Sequence, residues 1–197
     1  YCSAATKYKN SADEPDNNEP ITGFGGHVGV FVNLNVNEVI KLQPEVMFSM
    51  RSVSDSDSFE TELFGETQTT EYEATASYNY LTIPLLLMLS PTDAVSLYAG
   101  PQMSFLMGGK TSSETTTTYD GTTETTKTSE SGEDAVRGLS GTEFGGVLGV
   151  QVNLQNNLNI GARLNRGFTP FNENFTNEYE TRWLIAQLTI GYTLGGE

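Results

Sequence analysis

Bases are scarce in this 197-residue chain: ten lysines and arginines stand against 25 aspartates and glutamates, for a formal charge of −15. A chain that negative repels phosphate, which excludes nucleic acid as a partner. Cysteine is nearly absent. The single Cys2 permits no internal disulfide and no zinc-ligand spacing. Histidine is represented by His27 alone. Long apolar runs are missing as well. The longest, residues 83–89, is strand-sized and far short of the roughly 18 residues that a membrane helix requires. Nor does any segment show the 3.6-residue period of an amphipathic helix.

What the chain does have is a period of two. In residues 39–52 the even positions are Ile40, Leu42, Pro44, Val46, Phe48 and Met50, and the odd positions are Lys41, Gln43, Glu45, Met47, Ser49 and Arg51. Successive side chains of a strand point to opposite faces, so this segment has one apolar and one largely polar face. Residues 23–34, 78–89, 94–107, 142–154, 158–168 and 182–194 alternate likewise, and residues 1–8 read as the tail of a first strand. The absence of Met at position 1, and an opening inside a strand, lead us to expect an upstream segment. Short connections (35–38, 90–93, 155–157) alternate with long acidic ones, and the segments 9–22, 51–77, 108–141 and 166–182 hold 20 of the 25 acidic residues. This pattern predicts an all-β single domain over 1–197. Its architecture is an eight-stranded antiparallel up-and-down transmembrane β-barrel, with termini on the periplasmic side and long extracellular loops at about 9–22, 52–77, 109–141 and 167–181.

A soluble lipocalin-like barrel would show the same alternation with its apolar face turned inward. Volume argues against that: the apolar face is built of Leu, Ile, Val and Phe, whereas the other is rich in Gly, Ser, Asn and Gln, which suit a narrow interior. Charge agrees. The central apolar face carries no Asp, Glu, Lys or Arg, each Arg or Lys there costing roughly 2–4 kcal/mol in a bilayer. Arg166 has outward parity but sits at a loop end, where it can snorkel. Phe24, Phe48, Phe105, Phe144 and Phe168 fall at the long-loop ends of their strands and Tyr192 at the opposite end, as in aromatic girdles. Pro44, Pro84 and Pro101 each remove a ladder donor, and bulges or locally bent pairing are expected there.

Residues 29–48 (GVFVNLNVNEVIKLQPEVMF), 80–87 (YLTIPLLL), 97–101 (LYAGP), 144–150 (FGGVLGV) and 190–194 (IGYTL) resemble the PorT-like outer-membrane β-barrel family of Bacteroidota. The likeness spans roughly residues 23–194 outside the loops and records barrel construction, not chemistry. It departs from the family where the usual terminal aromatic is replaced by Leu194. It implies an eight-stranded barrel in a Gram-negative outer membrane, in a family whose members include accessory parts of secretion or surface machinery.

On the inward face lie His27, Lys41, Glu45, Arg51, Glu143 and Arg163, with Gln43, Gln102 and Gln151. This mixed-sign set is expected to pair into an interior plug, because buried charge must be compensated. A narrow pore is the alternative reading of the same residues. Ser104 with His27 and Glu45 or Glu143 could compose a lipid-hydrolase site, whereas an interior hydrogen-bond partner is the plain reading of a lone histidine. Residues 111–131 are low in complexity, yet Asp120-Gly121 is a strong hairpin turn among β-favouring threonines. Strands five and six are therefore expected to continue beyond the membrane as a hairpin. Residues 58–73, around Phe64-Gly65, are expected to do likewise. Phe59, Leu63, Phe64, Tyr72 and Tyr119 are apolar residues that loops seldom expose without a partner. No EF-hand spacing or cofactor motif occurs. The expectation is a non-enzymatic accessory barrel, needing no metal or cofactor. It would be embedded among outer-membrane lipid and lipopolysaccharide and would bind another envelope or surface protein.

Overall fold

A computed structural model describes residues 2–8, 21–63, 66–119, 122–154, 156–170 and 179–194. Among these, the strands are β1 (Cys2–Tyr8), β2 (Ile21–Phe31), β3 (Leu34–Asn35), β4 (Ile40–Leu63), β5 (Glu66–Thr92), β6 (Val95–Tyr119), β7 (Thr122–Gly132), β8 (Thr142–Asn153), β9 (Leu158–Gly167) and β10 (Tyr179–Tyr192). A single 3-10 turn, Asp134–Val136, follows β7. Every ladder is antiparallel, and the order is β2-β1-β10-β9-β8-β6-β5-β4, with β4 pairing β2 in turn. β3 prolongs β2 along β4, and β7 pairs only with β6, outside the wall. The wall is thinnest at β1. It meets β2 only through Cys2, Ser3 and Ala4. Beyond them, residues 24–31 of β2 and 187–192 of β10 have no ladder partner on their facing sides among the described residues.

The alternating pattern sorts as the volume argument requires. In β4 the odd residues Gln43, Glu45, Met47, Ser49 and Arg51 are buried, while Val46, Phe48 and Met50 are exposed. Leu148, Leu164 and Leu188 also point outward, Leu188 being 81% exposed. A soluble core would bury these side chains. From Ile40 to Met50 the apolar stripe extends about 33 Å along the strand, and with the usual tilt of such barrels that matches an apolar band roughly 25 Å tall. Phe24, Phe48, Phe144, Phe168 and Tyr192 are all exposed at the strand ends expected of them, and Phe105 is half-buried.

Both expected hairpins are present as paired strands beyond the membrane-spanning segments. β4, β5 and β6 contain 24, 27 and 25 residues, well over twice what a bilayer needs. The expected loops 52–77 and 109–141 are largely the outer halves of β4 to β7, which pair into a four-stranded sheet beyond the apolar band. Their threonines favour a pleated backbone, and pairing in the hairpins extends to Leu63↔Glu66 and Tyr119↔Thr122. The return arm differs from expectation. β7 is a separate strand, and the chain passes through the 3-10 turn before β8 begins. The expected loops 9–22 and 167–181 lie largely outside the described residues.

Of the two expected effects, the prolines interrupt the pairing locally and produce no bulge. The β4–β5 register is unchanged from Pro44↔Leu85 to Met47↔Thr82, and β5–β6 is unchanged from Pro84↔Gln102 to Leu87↔Ala99. Local ladder pairs are missing at the prolines while the alternation continues. The bulge lies elsewhere. Tyr80 pairs with Leu106 but Asn79 with Gly108, so Met107 is extra, and Gly108 takes φ +146°, a conformation suited to glycine. At the short-turn end, Asn156 and Asn157 both have positive φ, as a tight β8–β9 hairpin requires.

Candidate functional site

Two features stand out from the barrel frame: its plugged interior and its projecting sheet. Inside, alternation on β4, β8 and β9 aims four charged side chains at the barrel axis. Arg163 Nη1 donates to Glu45 Oε2 at 2.8 Å, its Nε to Gln187 Oε1 at 2.7 Å, and its Nη2 lies 2.7 Å from Met47 Sδ. Gln43 Nε2 donates to the other oxygen of Glu45 at 2.6 Å. Nearer the long-strand end, Arg51 Nη1 donates to Glu143 Oε2 at 2.9 Å and Nη2 to Ser104 Oγ at 3.4 Å. The Arg51 guanidinium carbon also lies 4.0 Å from the Tyr80 ring centroid and 5.3 Å from that of Trp183, a two-sided cation–π seat. Both ion pairs are almost wholly buried. Such pairing lets a narrow barrel hold charge without a channel, because each ion's desolvation is offset by a hydrogen-bonded partner.

The six interior residues expected from parity thus divide. Glu45, Arg51, Glu143 and Arg163 form two ion pairs. Lys41 and His27 are half-buried and form no ion pair among the described residues, although His27 lines a cavity together with Glu45 and Arg163. Ser104 bonds to Thr82 at 3.0 Å and to Arg51, and forms no bond to His27. Ser104 is therefore not paired with His27 as the hydrolase reading of these two residues requires. His27 lines two adjoining cavities of about 800 and 790 Å³ that open between β2 and β10. Tyr80 and Trp183 were missed at the sequence level. Tyr80 shares its inward face with Tyr78, Leu86 and Met88, and Trp183 shares its own with Ile185, so no polar alternation singled either ring out.

Outside, Phe59, Tyr72 and Tyr119 are exposed on the projecting sheet. Leu63 ends β4, and Phe64 lies outside the described residues. No three His, Cys, Asp or Glu side chains converge as a metal site among the described residues.

Apolar outside, ion-paired within and antiparallel throughout, this architecture defines an integral membrane β-barrel. The chain belongs to the outer membrane protein beta-barrel domain family, whose model matches residues 3–173, and it is a protein of the bacterial outer membrane. Among solved structures it is similar to Ail, the attachment invasion locus protein of Yersinia pestis, with a TM-score of 0.35 and 14% identity over 97% of this chain and 91% of that one. The same Yersinia pestis protein in complex with the heparin analogue sucrose octasulfate matches with a TM-score of 0.35 and 15% identity, over 97% and 92% of the two chains. No curated protein sequence matches this chain.

Proposed function

We propose that this chain is a non-enzymatic, eight-stranded accessory barrel, of the PorT-like kind found in Bacteroidota, that holds another envelope or surface protein against the outer membrane. Its apolar band sits among outer-membrane lipid and lipopolysaccharide, its short turns face the periplasm, and its acidic outer strands face outward from the cell. One observation carries this reading: β4, β5 and β6 run far past the apolar band and display Phe59, Tyr72 and Tyr119 to solvent. Apolar surface exposed on an ordered sheet and rimmed by polar residues is the kind of patch that binds a partner. The interior favours neither transport nor catalysis. Two buried ion pairs cross the lumen, and His27 lacks a hydrogen-bonded nucleophile among the described residues.

The test is isolation from native membranes in mild detergent. A companion protein recovered in fixed stoichiometry is the expected result, and recovery of a lone, heat-modifiable barrel overturns the accessory role. The non-enzymatic part is checked separately: His27→Ala should leave the mass spectrum of lipid A unchanged, and an altered profile would mean that the barrel modifies lipid.

A further inference from the structure

The two faces of the projecting sheet differ in chemistry. Ladder pairs place Phe59 opposite Thr70, Tyr72 between Asp57 and Thr115, and Tyr119 between Gln68 and Thr122. Because paired residues share a face, all three rings stand on one face, the one continuous with the barrel interior. Tyr119 joins this face through the Met107 bulge. An unbulged β6 would carry Tyr119 one residue further along β5, to the opposite face.

Both faces are acidic, and only the lysines are confined to one of them. The ring-bearing face displays Asp55, Asp57, Glu124 and Glu130, and no described lysine or arginine of the sheet shares it. Both lysines of the sheet, Lys110 and Lys127, lie on the reverse face, where Lys127 pairs with Glu114 at 2.8 Å. Glu60, Glu62, Glu71 and Glu73 are also on that reverse face. The ring-bearing face is therefore aromatic, threonine-rich and uncompensated in charge. The rings remain 56% exposed at Phe59 and 39% at both Tyr72 and Tyr119.

We propose that this face docks a basic protein surface, with arginine or lysine side chains of the partner seated over the rings and paired with the flanking carboxylates. A guanidinium stacks on an aromatic ring and forks onto a carboxylate, and here both kinds of acceptor lie side by side on neighbouring strands. The proposal rests on the accessory-barrel reading and specifies the surface and the partner's chemistry.

The experiment uses the full chain in lipid nanodiscs with a fluorescent oligo-arginine peptide as probe, read by anisotropy. Two variants remove the same charge from opposite faces. One carries Asp55→Asn, Asp57→Asn, Glu124→Gln and Glu130→Gln; the other carries Glu60→Gln, Glu62→Gln, Glu71→Gln and Glu73→Gln. The first should weaken binding by about tenfold or more and the second by less than about threefold, since paired contacts outweigh diffuse attraction. Equal weakening, or no binding by the unaltered chain, overturns the proposal. If the first variant does not fold, Phe59→Ser with Tyr72→Ser decides: it keeps every charge and should still weaken binding, and unchanged binding overturns the proposal. A companion from native membranes without face-dependent binding would leave the accessory role standing and remove this inference. Face-dependent binding without a companion would do the reverse.

Discussion

Arg163 serves three acceptors from a position 5% exposed, so its loss strands a buried carboxylate. Removing one member of such a pair typically costs about 3–5 kcal/mol. Arg163→Met should lower the urea midpoint of the folded barrel in detergent accordingly. The double variant with Glu45→Gln should recover part of that loss, because no unpaired charge remains. A second residue-scale constraint is space. A Cβ built at Gly149 would lie 2.5 Å from Tyr98 Cζ, with the ring held in a cluster with Leu86, Met88 and Val147. Gly149→Val should therefore destabilise by about 1–3 kcal/mol through overpacking, and Tyr98→Leu should relieve it, as read by heat-modifiable mobility. At this scale the inward charges were legible, because parity alone assigns Glu45, Arg51, Glu143 and Arg163 to one side. Who pairs with whom was not. Partners such as Arg163 and Glu45 stand 118 positions apart, and only the closed order of strands brings them together.

Among elements, the wall segments were readable from alternation, whereas the outer strands were obscured by composition. Runs of Thr and Ser carry little apolar contrast, so the two outer hairpins were legible from Asp120-Gly121 and Phe64-Gly65, whereas the full length of their strands and the pairing of one hairpin with the other were not. The bulge had no sequence mark beyond Gly108, whereas the prolines marked places where ladder pairs are interrupted without a bulge. The register it sets can be checked directly. In a chain with Cys2→Ser, cysteines replacing Gln68 and Tyr119 should cross-link readily under oxidation, since these positions are paired. Cysteines replacing Thr67 and Tyr119 should not. The reverse outcome would place Tyr119 on the other face of the sheet.

For the molecule as a whole, the direction of the apolar face decides what the protein is. Leu148 lies mid-band on β8 and is 64% exposed. Leu148→Arg should cost about 2–4 kcal/mol in folding into lipid vesicles, whereas Thr116→Arg on the projecting sheet should change it by no more than about 0.5 kcal/mol. Equal effects would mean that the band does not face lipid. The unbroken β4–β5 register, from Ile40↔Leu89 at one end to Leu63↔Glu66 at the other, has a mechanical consequence. Tip and wall are one ribbon with no joint between them. A pull on a molecule held at the tip would run along the strands and load many backbone bonds in shear together, so the barrel would yield as an anchor only when the bilayer or the whole wall gave way.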